Sequence, residues 1–354
     1  MIKNICFVTS SRADYGLLKN LMKRVSALKC FNLQTIVTGS HLSKEHGYTV
    51  DEIIKDDTQI DNKVPIIKKT RTKEDIGLTV GYAVQKMVPV ISKLSPSIVI
   101  LLGDRYEIFS AAIASAFLKI PVAHIHGGEI TEGAIDDMIR HSITKLSHIH
   151  FVSNVSYKRR VIQMGEQPKN VHNVGSLGVE NLKRMKLLSL NKLQSEIKFK
   201  FLKKNILITY HPVTLDKNPI EGINILLNVL EKFSNVGMIF TFSNADLLGT
   251  EITKKIAYFC KKNENAEIFS NLGQLNFFSC LKHCNGMVGN SSSGIIEAPS
   301  LRTWSLNLGN RQKGRIKANS VFDVEINERQ IFHKLNILLD KKKKRYKHII
   351  QKPL

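Results

Sequence analysis

The run Ile98 to Leu102, IVILL, is apolar at every position and ends directly in GDRYEIF. A strand that is apolar on both faces has to be covered by helices on both sides, which points to a parallel sheet inside an α/β layer structure. The surrounding chain agrees. From Ser97 to Ser147 it reads as strand, helix, strand, loop, helix, the second part being IPVAHIHGGEITEGAIDDMIRHSITKLS. An Asp-Arg pair, an HIHGGE run and an Asp-Asp pair each fall just past a strand or at a helix start. In open α/β sheets, ligands and chemistry sit at that edge.

The same alternation runs through the rest of the chain. Ile5 to Val8 is a short strand followed by TSSRADYG and a helix with Leu17, Leu18, Leu21, Met22, Val25 and Leu28 on one face. That loop lacks the GxGxxG pattern, so no dinucleotide fingerprint is present. Further strands are expected at Leu33 to Val37, Val64 to Ile67, Pro121 to Ile125, Ile149 to Val152 and Val171 to Val174. A long helix is expected over Gly77 to Leu94, with Pro89 inside it. Between Lys183 and Asn205 the sequence turns lysine-rich, which marks a boundary. A second alternation then begins at Asn205 to Tyr210 and continues through strands at Val236 to Phe242, Glu267 to Phe269, Gly286 to Gly289 and Thr303 to Leu308. The expected organisation is two doubly wound, Rossmann-like α/β domains facing a cleft, residues 1–182 and 183–335. A helix and basic tail, 336–354, would cross back to the first domain.

Composition narrows the function. The 354 residues are 43% hydrophobic, enough for about two ordinary cores. No apolar run approaches the ~20 residues of a membrane-spanning helix, and MIKNICFVTSS suits a first buried strand better than a signal peptide. A cytoplasmic protein without a membrane partner is expected. The net charge of +22 raises the question of nucleic acid. The lysines are spread along the chain, however, with one dense run at Lys341 to His348. Solvated helix faces, with modest steering of a small anionic substrate, account for the charge, and no nucleic-acid partner is expected. The five cysteines are scattered and read as buried thiols. Cys280, His283 and Cys284 lack a second ligand pair, so no zinc site is expected there.

Three groups of residues could carry chemistry. VGNSSSGIIEAP (Val288 to Pro299) is a strand, a small-residue turn and a helix start, where hydroxyls and backbone N–H groups meet the positive end of a helix dipole. An ordinary serine cap explains one serine, not three followed by glycine. Glu297, one turn further in, suits a pair of sugar hydroxyls. Tyr210, His211 and Pro212 end the strand that opens the second domain, and Arg311 and Arg315 follow the last expected strand; both sets are candidates for neutralising an anion, as is Arg12 after the first strand. In the first domain, Asp104, Glu129, Asp136 and Asp137 come from two successive strand-to-helix junctions, as proton transfer requires. Asp136 and Arg140, one turn apart, also read as a plain surface ion pair. His124 with His126, and His148 with His150, could each ligate a metal, which makes a metal-dependent hydrolase the rival enzyme class.

Taken in order, TSSRADYG, GDRYEIF, AHIHGGEITEGAIDD with RHSITK, NVGSLGVEN, HP, GNSSSGIIEAP and NLGNRQKGR resemble the hydrolysing UDP-N-acetylglucosamine 2-epimerases of sialic-acid-type sugar synthesis. The resemblance implies a glycosyltransferase-B-like fold, no metal, no cofactor, a UDP-sugar substrate, and a homodimer or homotetramer. It places Arg12, Gly16, Arg105, His211, Asn244, Ser291, Ser292, Glu297 and Arg311 at the nucleotide, and Asp104 and Asp136 on catalytic carboxylates. Many relatives carry Glu in the place of His126. Here Glu129 is the nearest carboxylate, so the third catalytic position lies between Glu129, the preferred choice, and His126. The implied reaction loses UDP, gives 2-acetamidoglucal, and rehydrates it to the 2-epimer, N-acetylmannosamine. A UDP- or GDP-linked 2,4-diacetamido-2,4,6-trideoxy sugar, used for legionaminic acid, is the alternative substrate. A retaining glycosyltransferase or a non-catalytic nucleotide-sugar binder is the alternative outside the family.

Overall fold

In the computed structural model, residues 2–44, 47–66, 72–213, 218, 220–243 and 248–341 are described. The chain divides into two compact units. One holds residues 1–129 and 135–177, the other residues 130–134 and 178–354. The five-residue segment Ile130–Ala134 thus leaves the first unit and packs with the second.

The first unit runs β1 (Lys3–Thr9), α1 (Arg12–Ser26), β2 (Phe31–Thr38), α2 (Val50–Lys55), β3 (Asn62–Val64), α3 (Lys73–Leu94) and β4 (Ile98–Leu102). It continues through α4 (Tyr106–Phe117), β5 (Val122–Ile125), α5 (Asp136–Lys145), β6 (Ile149–Val152), α6 (Val155–Gln163) and β7 (Val171–Asn173). Its seven strands are parallel in the order β3-β2-β1-β4-β5-β6-β7. Strand alternation sends Cys6, Val8, Val99 and Leu101 into a core with Met87, Ile91 and Ile108. Phe7, Ile100 and Leu102 enter a core with Tyr15, Leu18 and Met22 on the other face. Ser11 starts α1 with a capping box to Asp14. The third strand lies two residues earlier than expected, and Ile67 falls outside the described residues.

The second unit contains α7 (Leu177–Arg184), α8 (Leu190–Ile197), β8 (Lys204–Thr209), α9 (Glu221–Leu230), β9 (Val236–Thr241), α10 (Gly249–Lys262) and β10 (Ala266–Phe269). Then come α11 (Gly273–His283), β11 (Gly286–Gly289), α12 (Ser293–Ser300), β12 (Trp304–Leu308), β13 (Val321–Val324) and α13 (Glu328–Asp340). Six parallel strands run in the order β10-β9-β8-β11-β12-β13. The expected return of the C-terminal helix to the first domain is corrected for its described part. Ile331, Leu335, Leu338 and Leu339 of α13 join the core of the second sheet, because their spacing makes one apolar stripe. Residues 342–354 of the tail lie outside the described residues. Among the described residues no helix is long and apolar enough to cross a membrane.

Candidate active site

Each sheet has a switch point, where the chain stops building outward on one side and starts on the other. In the first unit it lies between β1 and β4, and in the second between β8 and β11. The crevice beyond the C-terminal strand ends at such a point is where open α/β sheets bind ligands. Arg12, Asp104 and Arg105 follow closely on β1 and β4, and His211, Ser291 and Ser292 on β8 and β11.

In the first unit, Asp14 is buried below the loop that follows β1. It accepts hydrogen bonds from the Ser10 N–H (3.0 Å), the Ser10 hydroxyl (2.8 Å) and the Thr9 hydroxyl. Burial works to raise its pKa, but His41, Thr9 and Ser10 outweigh it and hold the carboxyl below its ordinary range. Arg12 opens α1, with Gly16 one turn on along the same side. Burial lowers the Arg12 pKa, against an opposing pull from Glu52. Past β4, the Arg105 Nε–H donates to Glu107 Oε2 (3.2 Å). Glu107 is fully buried, and its Oε1 has no hydrogen-bond partner among the described residues. Burial drives its pKa up further than Arg105 can bring it down.

The centre of this edge is Arg140, which is 1% exposed. Its Nη2 donates to Asp104, and its Nη1 to the Glu129 carbonyl (2.9 Å) and Asp137 Oδ1 (3.4 Å). Burial disfavours its charge, but Asp104, Glu129 and Asp136 together raise its pKa above the ordinary value. The reading of Arg140 as half of a surface ion pair with Asp136 is therefore corrected: its hydrogen-bonded partners include Asp104, 36 residues away. Nor do the aspartates cap α5, whose N-cap position is Ile135.

The histidines are engaged with the protein itself. The His124 Nε2–H donates to the Gly103 carbonyl (2.7 Å), so its Nδ1 is left to accept from the Thr144 hydroxyl (3.1 Å). Burial lowers its pKa to about 4, so the ring is neutral. The Thr144 hydroxyl, with one proton, also lies 3.0 Å from the Arg140 carbonyl and donates to one of these two acceptors at a time. His124 and Arg140 thus bracket Gly103 and Asp104, with Thr144 between them. His126 lies one residue beyond β5 at φ 66°. Its Nε2 accepts from the Leu177 N–H (3.4 Å), so the neutral ring carries its proton on Nδ1, 3.9 Å from Glu129 Oε1. Glu129, 4% exposed, accepts from the Ser153 hydroxyl (3.2 Å) on the same oxygen. His148 Nδ1 accepts from the Val122 N–H (3.3 Å), and His150 bonds Glu166 (3.1 Å). Among the described residues no group of three or more His, Cys, Asp or Glu is placed to hold a metal.

In the second unit, Gly289 (φ 134°) lets β11 approach β8 so closely that a Cβ there would lie 1.9 Å from the Thr209 carbonyl. Beyond this contact, His211 is buried with its Nδ1 3.3 Å from the Ser243 hydroxyl. Ser291 and Ser292 lead into α12, the Ser291 hydroxyl accepting from the Ser293 N–H (3.3 Å), and Glu297 is buried one turn in. Arg311 is buried beside them. Its Nη1 donates to the Asn290 carbonyl (3.3 Å), and its Nε has no hydrogen-bond partner among the described residues. A helix start and a buried guanidinium with a spare donor are features that suit an anion. Asn244 lies outside the described residues. Sequence reasoning missed Asn290, Ser153 and the placement of Arg140 and His124, since each makes its contacts with residues distant in the chain.

Residues 23–353 match the family model for UDP-N-acetylglucosamine 2-epimerase. The chain is 42% identical over 336 residues to the GDP/UDP-N,N'-diacetylbacillosamine 2-epimerase (hydrolyzing) of Campylobacter jejuni, covering 94% of this chain and 87% of that protein. It is 35% identical over 348 residues to the UDP-N,N'-diacetylbacillosamine 2-epimerase (hydrolyzing) of Legionella pneumophila, covering 98% and 91%. In fold it is similar to the UDP-GlcNAc 2-epimerase of Methanocaldococcus jannaschii, solved in complex with UDP-GlcNAc and UDP. The TM-score is 0.81 at 17% identity, over 99% of this chain and 95% of that one. Two parallel α/β units agree with these matches across nearly the full length, and the chain belongs to the UDP-N-acetylglucosamine 2-epimerase family.

Proposed function

We propose that the protein is a hydrolysing 2-epimerase acting on a UDP-linked 2-acetamido sugar. The observation that carries this reading is the gathering of Asp104, Glu129, Asp136 and Asp137 around the buried Arg140 cation, within a chain of this family. The proton on carbon 2 of such a sugar is only weakly acidic. Departure of UDP must run ahead of its removal, leaving an oxocarbenium-like centre that a neighbouring carboxylate deprotonates. The Ser291–Ser293 helix start, His211 and Arg311 suit the charge that grows on the departing UDP. The glucal is then protonated at carbon 2 from the opposite face while water adds at carbon 1, which releases the free 2-epimer. Asp104 and Asp136 serve as catalytic carboxylates, and Glu129 with His126 as the third proton-transfer site.

The 42% and 35% identities to diacetylbacillosamine 2-epimerases favour UDP-N,N'-diacetylbacillosamine as a second substrate reading beside UDP-N-acetylglucosamine. A role in making a sialic or legionaminic acid precursor follows, in the cytoplasm and as a homo-oligomer. Both sugars are to be incubated with the enzyme in deuterated water. The expected product is free 2-epimerised sugar with deuterium at carbon 2, together with UDP. Retention of hydrogen at carbon 2, or transfer of the sugar to an acceptor, refutes the reading. Asp104→Asn and Glu129→Gln should each slow turnover by orders of magnitude; a near-normal rate removes that residue from the assignment.

A further inference from the structure

We infer that Asn290 is a positioning residue of the anion-binding edge, its side chain holding His211 and its main-chain carbonyl holding Arg311 relative to the start of α12; this rests on the nucleotide-binding reading above. Asn290 is completely buried at the second switch point, between the ends of β8 and β11. Its Oδ1 accepts from the His211 N–H at 2.7 Å, and its Nδ2 donates to the His211 carbonyl at 2.8 Å. An N–H can only donate and a carbonyl can only accept, so these partners fix the orientation of the amide. The side chain in effect adds one rung to the β8–β11 ladder after the strands have ended, and the Asn290 N–H continues it with a bond to the Thr209 carbonyl (3.2 Å).

The main chain of the same residue faces the other way. Its carbonyl accepts from Arg311 Nη1 (3.3 Å) and from Gln312 Nε2 (2.9 Å), both carried by the loop after β12. Three strand ends therefore meet at one residue: His211 through the side chain, Arg311 and Gln312 through the carbonyl, and Ser291 to Ser293 through the chain that follows. His211 and Arg311 are each mostly buried, so neither is repositioned by solvent if the pin is lost. Cutting the side chain removes both of its hydrogen bonds to the His211 main chain and lets the Asn290 peptide turn. The carbonyl that holds Arg311 moves with it. Asn290 itself makes no contact that a substrate would need, which separates its role from that of the groups it places.

Isothermal titration of the full-length protein with UDP tests this, with Asn290→Ala, Arg311→Ala and the double variant beside the wild type. Asn290→Ala should weaken UDP binding at least tenfold while the far-UV spectrum is kept. The double variant should bind no more than about threefold worse than the weaker single variant, because both changes remove one arrangement. Multiplicative losses in the double variant, or binding by Asn290→Ala within twofold of wild type, overturn the inference. Should Asn290→Ala not fold, Asn290→Asp carries the test, since it keeps the acceptor for the His211 N–H and loses the donor to the carbonyl. It should bind severalfold worse than wild type at pH 8, and unchanged affinity overturns the inference. Failure of the wild type itself to bind UDP would refute the nucleotide reading instead.

Discussion

Replacing Arg140 by lysine keeps the charge and removes the fork. The guanidinium places one terminal nitrogen on Asp104 and the other on the Glu129 carbonyl (2.9 Å), with Asp137 at 3.4 Å. A single ammonium at the end of a flexible stem cannot serve both directions at once. Loss of the charge-assisted bond to the Glu129 carbonyl and weakening of the one to Asp104 together amount to about 2.5 kcal/mol. Half of that sum needs discounting where Asp104, whose side chain is 23% exposed, can recruit water. The expected loss is about 1.3 kcal/mol, equivalent to roughly ninefold if all of it falls on the transition state. Arg140→Met also removes the cation and should cost about 3 kcal/mol or more in stability, the range for breaking a buried pair. Initial rates of UDP release give the first quantity, and urea denaturation followed by far-UV circular dichroism gives the second. The one tryptophan, Trp304, is in β12 and does not report on α5. If Arg140→Lys keeps more than half the wild-type kcat/KM with an unchanged urea midpoint, the fork has no role and the carboxylate cluster needs only a nearby positive charge.

Three further outcomes follow from the same structure. Glu107 ionises later in the folded protein than its ordinary 4.5 because of burial. The folded state then holds the proton longer than the unfolded chain, and this contribution to stability is lost as pH rises above about 4.5. The stability of Glu107→Gln relative to wild type should therefore grow between pH 5 and pH 8 in paired urea titrations, and a constant difference refutes the assignment. His124 behaves in the opposite sense. Its pKa falls from 6.5 to about 4, so stability is lost as pH drops through that window. His124→Gln should flatten the decline, with His141 and His150, also lowered, supplying what remains; an unaltered slope over pH 6.5 to 4 counts against it. At Gly133 an added Cβ would lie 2.5 Å from the Asn310 carbonyl and 2.8 Å from the Arg311 Cα. Both are backbone atoms, so Gly133→Ala must displace the Arg311 loop and should weaken UDP binding by about tenfold in titration calorimetry. Wild-type affinity would show that the loop yields freely.

What the sequence makes legible is what depends on neighbours in the chain. β4 is readable because both of its faces are covered, so every residue of IVILL is apolar. β13, VFDV, is not: it is an edge strand, largely half-exposed, with an aspartate in it, and it lacks the pattern of a buried strand. In the lysine-rich stretch after Lys183, the buried positions Leu193 and Ile197 of α8 are one turn apart, too few to outweigh the charged composition around them. The same division runs through the site. Asp104, Glu129 and His211 stand out because they follow strands. Arg140 and Asn290 do not, because the partners that define them lie 36 and 79 residues away.

The choice between His126 and Glu129, open in the sequence, takes a different form once the bonds are known. Glu129 is 4% exposed, and one of its oxygens already accepts from Ser153. His126 has its Nε2 lone pair directed at the Leu177 N–H, which leaves its proton on the nitrogen that faces Glu129. Its backbone is held at φ 66°, a conformation a β-strand histidine avoids, so the chain accepts strain to turn the ring this way. A proton arriving at the pair converts a neutral imidazole beside a carboxylate into an ion pair or a protonated acid, and either form stays next to the Arg140 field that Glu129 shares. A glutamate in the position of His126 would bring a second negative charge against Glu129, and mutual repulsion would force one of them to hold a proton. With histidine there, that position brings no second negative charge against Glu129.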